Sequence, residues 1–250
     1  MRDIVDIFYT DDRHPMQMLD MHLPDEDGFT TFVFFHGGGI EHGDRTHCKC
    51  LTSYLPPRGV GLVSVEYRMY PDAQFPDFVE DAAAAVAWVM RNIGSYGGNG
   101  RVIVGGSSAG GYLSQLLCFD KRYLGAHGID PCDVSAFILD AGQPTTHFNV
   151  LRERGIDPRR EIIDEAAPLY YVGLEEKYPP MLIIYSDNDM KCRPEQTLLL
   201  VASLEHFGYD MSRVEVMVAH GTHCSYCGAL DENGESVHGK MIYPFIKKYS

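Results

Sequence analysis

The sequence predicts an α/β architecture, one mostly parallel sheet of about eight strands with helices on both faces. Three observations carry that prediction. Short runs rich in β-branched and aromatic residues alternate with longer helical patterns, as a parallel sheet with crossover helices requires. No internal repeat, low-complexity tract or composition break marks a linker. The 250 residues, 45% of them hydrophobic, suffice for one large core, because a chain of about this size buries roughly three quarters of its unfolded surface. A single domain over residues 1-250 is therefore expected.

In chain order, strands are expected at Arg2 to Thr10, Met16 to Leu23, Thr31 to His36, Gly61 to Glu66, Arg101 to Gly105, Ala136 to Asp140, Met181 to Tyr185 and Val214 to Ala219. The first two lie too close together for a crossover helix, so they should pair antiparallel at one edge. Helices are expected at Phe78 to Ile93, an Ala-rich run ending near Gly94, and at Ser108 to Phe119. Two more follow, Glu195 to Phe207, which stops before Gly208, and Ser236 to Lys248. From Gln143 to about Ala166 the pattern breaks down around Pro144, Pro158 and a cluster of Arg and Glu. A segment this long is more often a lid or binding loop than plain connection, so a small lid is expected at 143-166.

Charge narrows the partners. A net charge of -14 opposes a phosphate-tracking surface, since nucleic-acid affinity rests on Lys and Arg displacing counterions. The amino terminus, Met1 to Asp6, carries charges every few residues and lacks the apolar run of a signal peptide, and no stretch of about 18 apolar residues occurs anywhere. A cytoplasmic protein with no membrane or nucleic-acid partner is the expectation. Seven cysteines, an odd number, favour reduced thiols over a disulfide framework. Cys48-x-Cys50 and Cys224-x-x-Cys227, beside His47 and His223, suggest zinc, but a Cys-x-Cys pair is unusual spacing for a structural zinc site. No metal and no cofactor are expected.

The chemistry starts at Val102-Ile103-Val104, which runs into Gly105-Gly106-Ser107-Ser108-Ala109-Gly110-Gly111 and then a helical pattern. This is the strand, tight turn and helix of a nucleophile elbow. Centring Gly-x-Ser-x-Gly on Ser108 places glycine at 106 and 110, whereas centring it on Ser107 leaves Ala109 in the last place. Small flanking residues let strand and helix pass close together, which selects Ser108. Gly-Ser turns are common, so the match decides little by itself. It gains weight from His36-Gly37-Gly38-Gly39, a glycine run directly after a strand. There the N–H groups of Gly37 and Gly38 can join that of Ala109 as an oxyanion hole.

A serine hydroxyl needs a base, and the base an orienting carboxylate. Asp187 and Asp189 follow the strand ending at Tyr185, and His220 and His223 follow the strand ending at Ala219. Both loops leave carboxyl ends of strands, where open α/β sheets place ligands. Both pairs qualify by composition, and the longer reach from the strand end favours Asp189 and His223. Glu41 and His42 are candidates for substrate binding; Asp44 reads as a helix cap, Arg68 and Asp81 as structural, and Trp88 as core.

Four motifs together resemble the hormone-sensitive-lipase-like and bacterial carbohydrate-esterase-like serine hydrolases of the α/β-hydrolase fold. They are His36 to Gly39; Glu66-Tyr67-Arg68 through Pro71, Phe75-Pro76 and Asp81 to Trp88; Gly106 to Gly111; and Pro179-Pro180 before the acid loop. The resemblance implies that Asp189 is the acid and His223 the base, which agrees with the choice made on reach. Ser186 stands where the family usually has glycine, and Cys224-Ser225 replaces its usual Gly-Phe. Only about 30 residues precede His36, too few for the family's large amino-terminal cap, so a more open site is expected. The function this implies is hydrolysis of short-chain acyl esters, such as acetyl or feruloyl groups on carbohydrates, with a small-molecule or oligosaccharide ester as the partner. A prolyl-oligopeptidase-like peptidase would need room for a propeller domain, and a silent ligand-binding relative would usually lack a triad member.

Overall fold

The computed structural model describes residues 1–250. Eight strands form one sheet: β1 (Arg2–Phe8), β2 (Met18–Leu23), β3 (Phe29–Phe35), β4 (Val60–Val65), β5 (Gly98–Ser107), β6 (Ala136–Asp140), β7 (Met181–Ser186) and β8 (Val214–Ala219). Their order is β1-β2-β4-β3-β5-β6-β7-β8. β1 pairs antiparallel with β2, and β2 antiparallel with β4, while every other pairing is parallel. Seven helices accompany the sheet: α1 (Lys49–Thr52), α2 (Asp77–Asn92), α3 (Ala109–Phe119), α4 (Lys121–Gly125), α5 (Phe148–Glu153), α6 (Arg193–His206) and α7 (Val237–Lys248). No helix is long and apolar enough to cross a membrane.

The central strands are buried on both faces, as their unbroken apolar runs require. Alternate side chains divide between two cores. Val33, Phe35, Val104, Leu139 and Ile183 join Phe78, Leu113, Leu116 and Leu200 from α2, α3 and α6. Phe32, Phe34, Ile103, Ile138 and Leu182 join Leu51 of α1 and Ile242, Phe245 and Ile246 of α7 on the opposite face. The period of two along each strand thus assigns helices to both sides of the sheet.

Element ends differ from the sequence expectation where short contacts, not periodicity, decide them. β5 begins at Gly98 because Gly98 pairs with Phe29 across a register shift, although Gly98-Asn99-Gly100 reads as a turn. Segment 143-166 is not featureless, since it contains α5, whose first turn is capped by the His147 side chain accepting from Asn149 N–H. Its Gln143, Thr145, Thr146, His147 and Asn149 are buried, which ties the segment into the body of the molecule.

Asp81 shows how the polar interior is satisfied. Its buried carboxylate accepts from Arg68 through the backbone N–H at 2.9 Å, Nε at 2.8 Å and Nη2 at 2.7 Å, and from Gln17 Nε2 at 2.6 Å. These bonds lash α2 to the segments flanking β2 and β4. Replacing Asp81 with alanine leaves the guanidinium and the amide without their acceptor. We expect a loss of about 3 kcal/mol, measured as a lower urea midpoint at unchanged m-value.

Candidate active site

β5 delivers the candidate nucleophile. Ser108 sits between β5 and α3 at φ 57° and ψ -115°, a backbone conformation that L-residues avoid and that nucleophile elbows hold under strain. Neighbouring groups hold the turn, since Ser108 N–H donates to Asp140 O at 2.9 Å and Ser108 O accepts from Tyr112 N–H at 2.9 Å. The close approach of strand and helix explains Gly110, where an added Cβ would lie 1.9 Å from Phe35 O. Ser107 is turned the other way, into the interior, and its hydroxyl donates to the Asp140 carboxylate.

The two downstream loops meet over Ser108. Ser108 Oγ donates to His223 Nε2 at 2.8 Å, and His223 Nδ1 donates to Asp189 Oδ1 at 2.6 Å. The Asp189 side chain is fully shielded from solvent, while that of His223 remains 21% exposed. Burial opposes the charge on Asp189, but the hydrogen bond and the charge of His223 win and hold its carboxyl below the usual value. The other two residues that qualified by sequence form a separate pair at the surface. His220 Nδ1 lies 2.6 Å from Asp187 Oδ2, and the His220 side chain is 91% exposed.

The loops are registered on each other by several bonds, among them Gly221 N–H donating to Asp187 Oδ1 at 2.9 Å and the three that follow. Asp187 N–H donates to Ala219 O, Asn188 N–H to Gly221 O, and the Ser186 hydroxyl to Thr222 O. The last is a use of serine at a position where glycine has no side chain to offer. Cys224, in place of the family's glycine, has φ 52°.

The glycine run after β3 comes next to the serine, such that an added Cβ on Gly37 would stand 3.1 Å from Ser108 Cβ. The backbone N–H groups of Gly37 and Gly38 donate to no acceptor in the chain. Ala109 opens α3, where first-turn N–H groups have no partner within the helix. His36 anchors the run, its Nδ1 donating to Gly37 O at 2.7 Å and its ring stacked 4.5 Å from that of Tyr67. The Tyr67 hydroxyl donates to His36 O at 2.8 Å, fixing the strand end from beneath.

A pocket of about 450 Å³ opens over Ser108, with Gly37 to Gly39, His42, Phe148 and Met190 in its wall. His42 therefore sits in the pocket, whereas Glu41 is paired with Arg152. Asp44 caps the short turn Arg45–Cys48 by accepting from Thr46 N–H. Phe148 and Met190 carried no signal in the sequence as pocket residues. Phe148 is brought in by α5, held against the glycine run where Asn149 Nδ2 donates to Gly39 O at 3.1 Å.

Residues 32–222 match the family model described as alpha/beta hydrolase fold. The chain belongs to the α/β-hydrolase fold family. Among its relatives, the chain is 28% identical over 199 residues to "Lipase 2" of Moraxella sp., covering 78% of this chain and 44% of that protein. It is 29% identical over 223 residues to "Esterase LipC" of Mycobacterium tuberculosis, covering 79% and 54%. This α/β-hydrolase chain thus spans about half the length of the curated relatives it matches. Its fold is similar to that of a truncated carbohydrate esterase from gut microbiota, with a TM-score of 0.82, 17% identity, and coverage of 100% of this chain and 96% of that one. It is likewise similar to a butyrate-bound esterase of Thermogutta terrifontis, with a TM-score of 0.75, 20% identity, and coverage of 98% and 93%.

Proposed function

We propose that this α/β-hydrolase is a serine carboxylic-ester hydrolase of short-chain acyl esters, with Ser108 as nucleophile, His223 as base and Asp189 as the orienting acid. The observation that carries the reading is the continuous hydrogen-bonded line from Ser108 through His223 to Asp189 beside a glycine run with unused N–H groups. The relatives named esterase and the carbohydrate esterase of similar fold support it. Acetyl or feruloyl groups on carbohydrates are the substrates we favour.

Ser108 Oγ attacks the ester carbonyl as its proton passes to His223 Nε2. Asp189 accepts from Nδ1–H throughout and stabilises the imidazolium. The oxyanion is held by the N–H groups of Gly37, Gly38 and Ala109. The tetrahedral intermediate collapses when His223 gives its proton to the departing alcohol, leaving an acyl-Ser108 ester. Water then gives a proton to His223 and attacks the acyl carbon; the proton returns to Ser108 as the acid leaves. Residues 143-166 act in this scheme as a small lid, with Phe148 covering part of the pocket.

A panel of p-nitrophenyl esters of increasing chain length, run beside acetylated and feruloylated oligosaccharides, tests the proposal. Fastest turnover on the shortest acyl chains is expected, with an organophosphate adduct on Ser108 by mass spectrometry. Absence of both turnover and adduct would overturn it. Gly38→Ala tests the oxyanion loop separately. Gly38 has φ 121°, and an added Cβ would fall 1.8 Å from His42 O, so the loop must move. A fall in kcat of roughly 10²–10³-fold, with the fold retained, is expected.

A further inference from the structure

Beneath the elbow lies a second cluster that the proposed hydrolysis does not use. Asp140 ends β6, Cys227 lies in the loop after His223, and His238 lies in the first turn of α7. One carboxylate oxygen, one thiol sulfur and one ring nitrogen from these three lie within 4.8 Å of one another. His238 Nε2 is 3.2 Å from Asp140 Oδ2, and Cys227 Sγ is 3.8 Å from the same oxygen. Asp140 and His238 are each 1% exposed, and the contact from His238 Nε2 to Asp140 Oδ2 lacks hydrogen-bond geometry.

We propose that Asp140, Cys227 and His238 form a binding site for a divalent zinc ion, as its three protein ligands. The donor set supports this, because zinc takes thiolate, imidazole and carboxylate together. The carboxylate is already fixed in place, its Oδ2 accepting from the Ser107 hydroxyl and its Oδ1 from that of Tyr226, as ligating carboxylates are held in metal sites. Cys227 and Ser107 also border the ester pocket, which gives an ion a way in. His47 and His223 have no part in this site, and neither do Cys48, whose thiol donates to Arg45 O, and Cys50, whose thiol donates to Gly228 O. Binding releases the Cys227 thiol proton to water and involves no redox change. Bound there, the ion would join the end of β6, the start of α7 and the loop that carries His223.

The test uses the reduced full chain, stripped with a chelator and titrated with cobalt(II), then zinc(II). One equivalent of cobalt should give a thiolate-to-metal charge-transfer band that zinc abolishes, and zinc at about 100 times its Kd should raise Tm by roughly 5–10 °C. Cys227→Ser and His238→Gln should each weaken binding by more than about 100-fold, whereas Cys50→Ser, Cys132→Ser and His223→Ala should leave the band intact. If His238→Gln fails to fold, Cys227→Ser and the Tm shift still decide. No thiolate band, or a band undiminished in Cys227→Ser, would overturn the site. None of these readouts involves ester turnover, so failure here leaves the esterase proposal standing, and the reverse.

Discussion

Ser108→Ala should lower kcat on a short-chain p-nitrophenyl ester by about 10⁶-fold, the scale on which loss of a serine nucleophile acts when triad members work as a unit. The substitution is clean because alanine keeps the Cβ and the strained backbone at φ 57° is unchanged in kind. The hydroxyl's bond is to His223 Nε2, so its loss leaves the ring held from the other side by Asp189. Folding should therefore survive, with Tm within a few degrees of the parent, and the organophosphate adduct should vanish. Ser107→Ala is the control. That hydroxyl faces Asp140, so its removal touches stability before turnover. Undiminished hydrolysis by the Ser108 variant would remove the basis for the whole catalytic assignment.

The legible parts of this chain were those with local punctuation. β6 and β8 end where the sequence predicts because short apolar runs there are bounded by turn-forming residues, and the elbow frame followed from Gly106 and Gly110 alone. α5 escaped because six residues are too few to show a period; it forms through the His147 cap and tertiary packing. Phe148 entered the pocket with it. Of the Asp140, Cys227 and His238 cluster only Cys227 stood in a spacing that suggested zinc, since its members sit on three elements far apart in sequence. Asp187 and Asp189 stand two residues apart with similar composition. What separates them is the path of the loop, which is set when Asp187 N–H bonds Ala219 O at the strand end and carries Asp189 on over the serine.

That path predicts opposite outcomes for two isosteric changes. Asp189→Asn should lower kcat by roughly 10⁴-fold, because an amide in place of the carboxylate favours the wrong tautomer of the base. Asp187→Asn should change kcat by less than about threefold, since the pair it breaks with His220 is exposed and such pairs contribute little. His223→Ala and His220→Ala should divide in the same way. A pH series separates catalysis from stability. The Asp189 carboxyl titrates lower in the folded chain than in the unfolded one, so its ionised form stabilises the fold above the unfolded value near 4. That stabilisation disappears as pH falls through the folded value, where both states carry the proton. Asp189→Asn should therefore be less stable than the parent at pH 7, and the gap should narrow steadily on acidification below about pH 4. Chemical denaturation of both proteins at several pH values measures this, and a gap that widened in acid would mean that burial, not the bond to His223, governs the carboxyl.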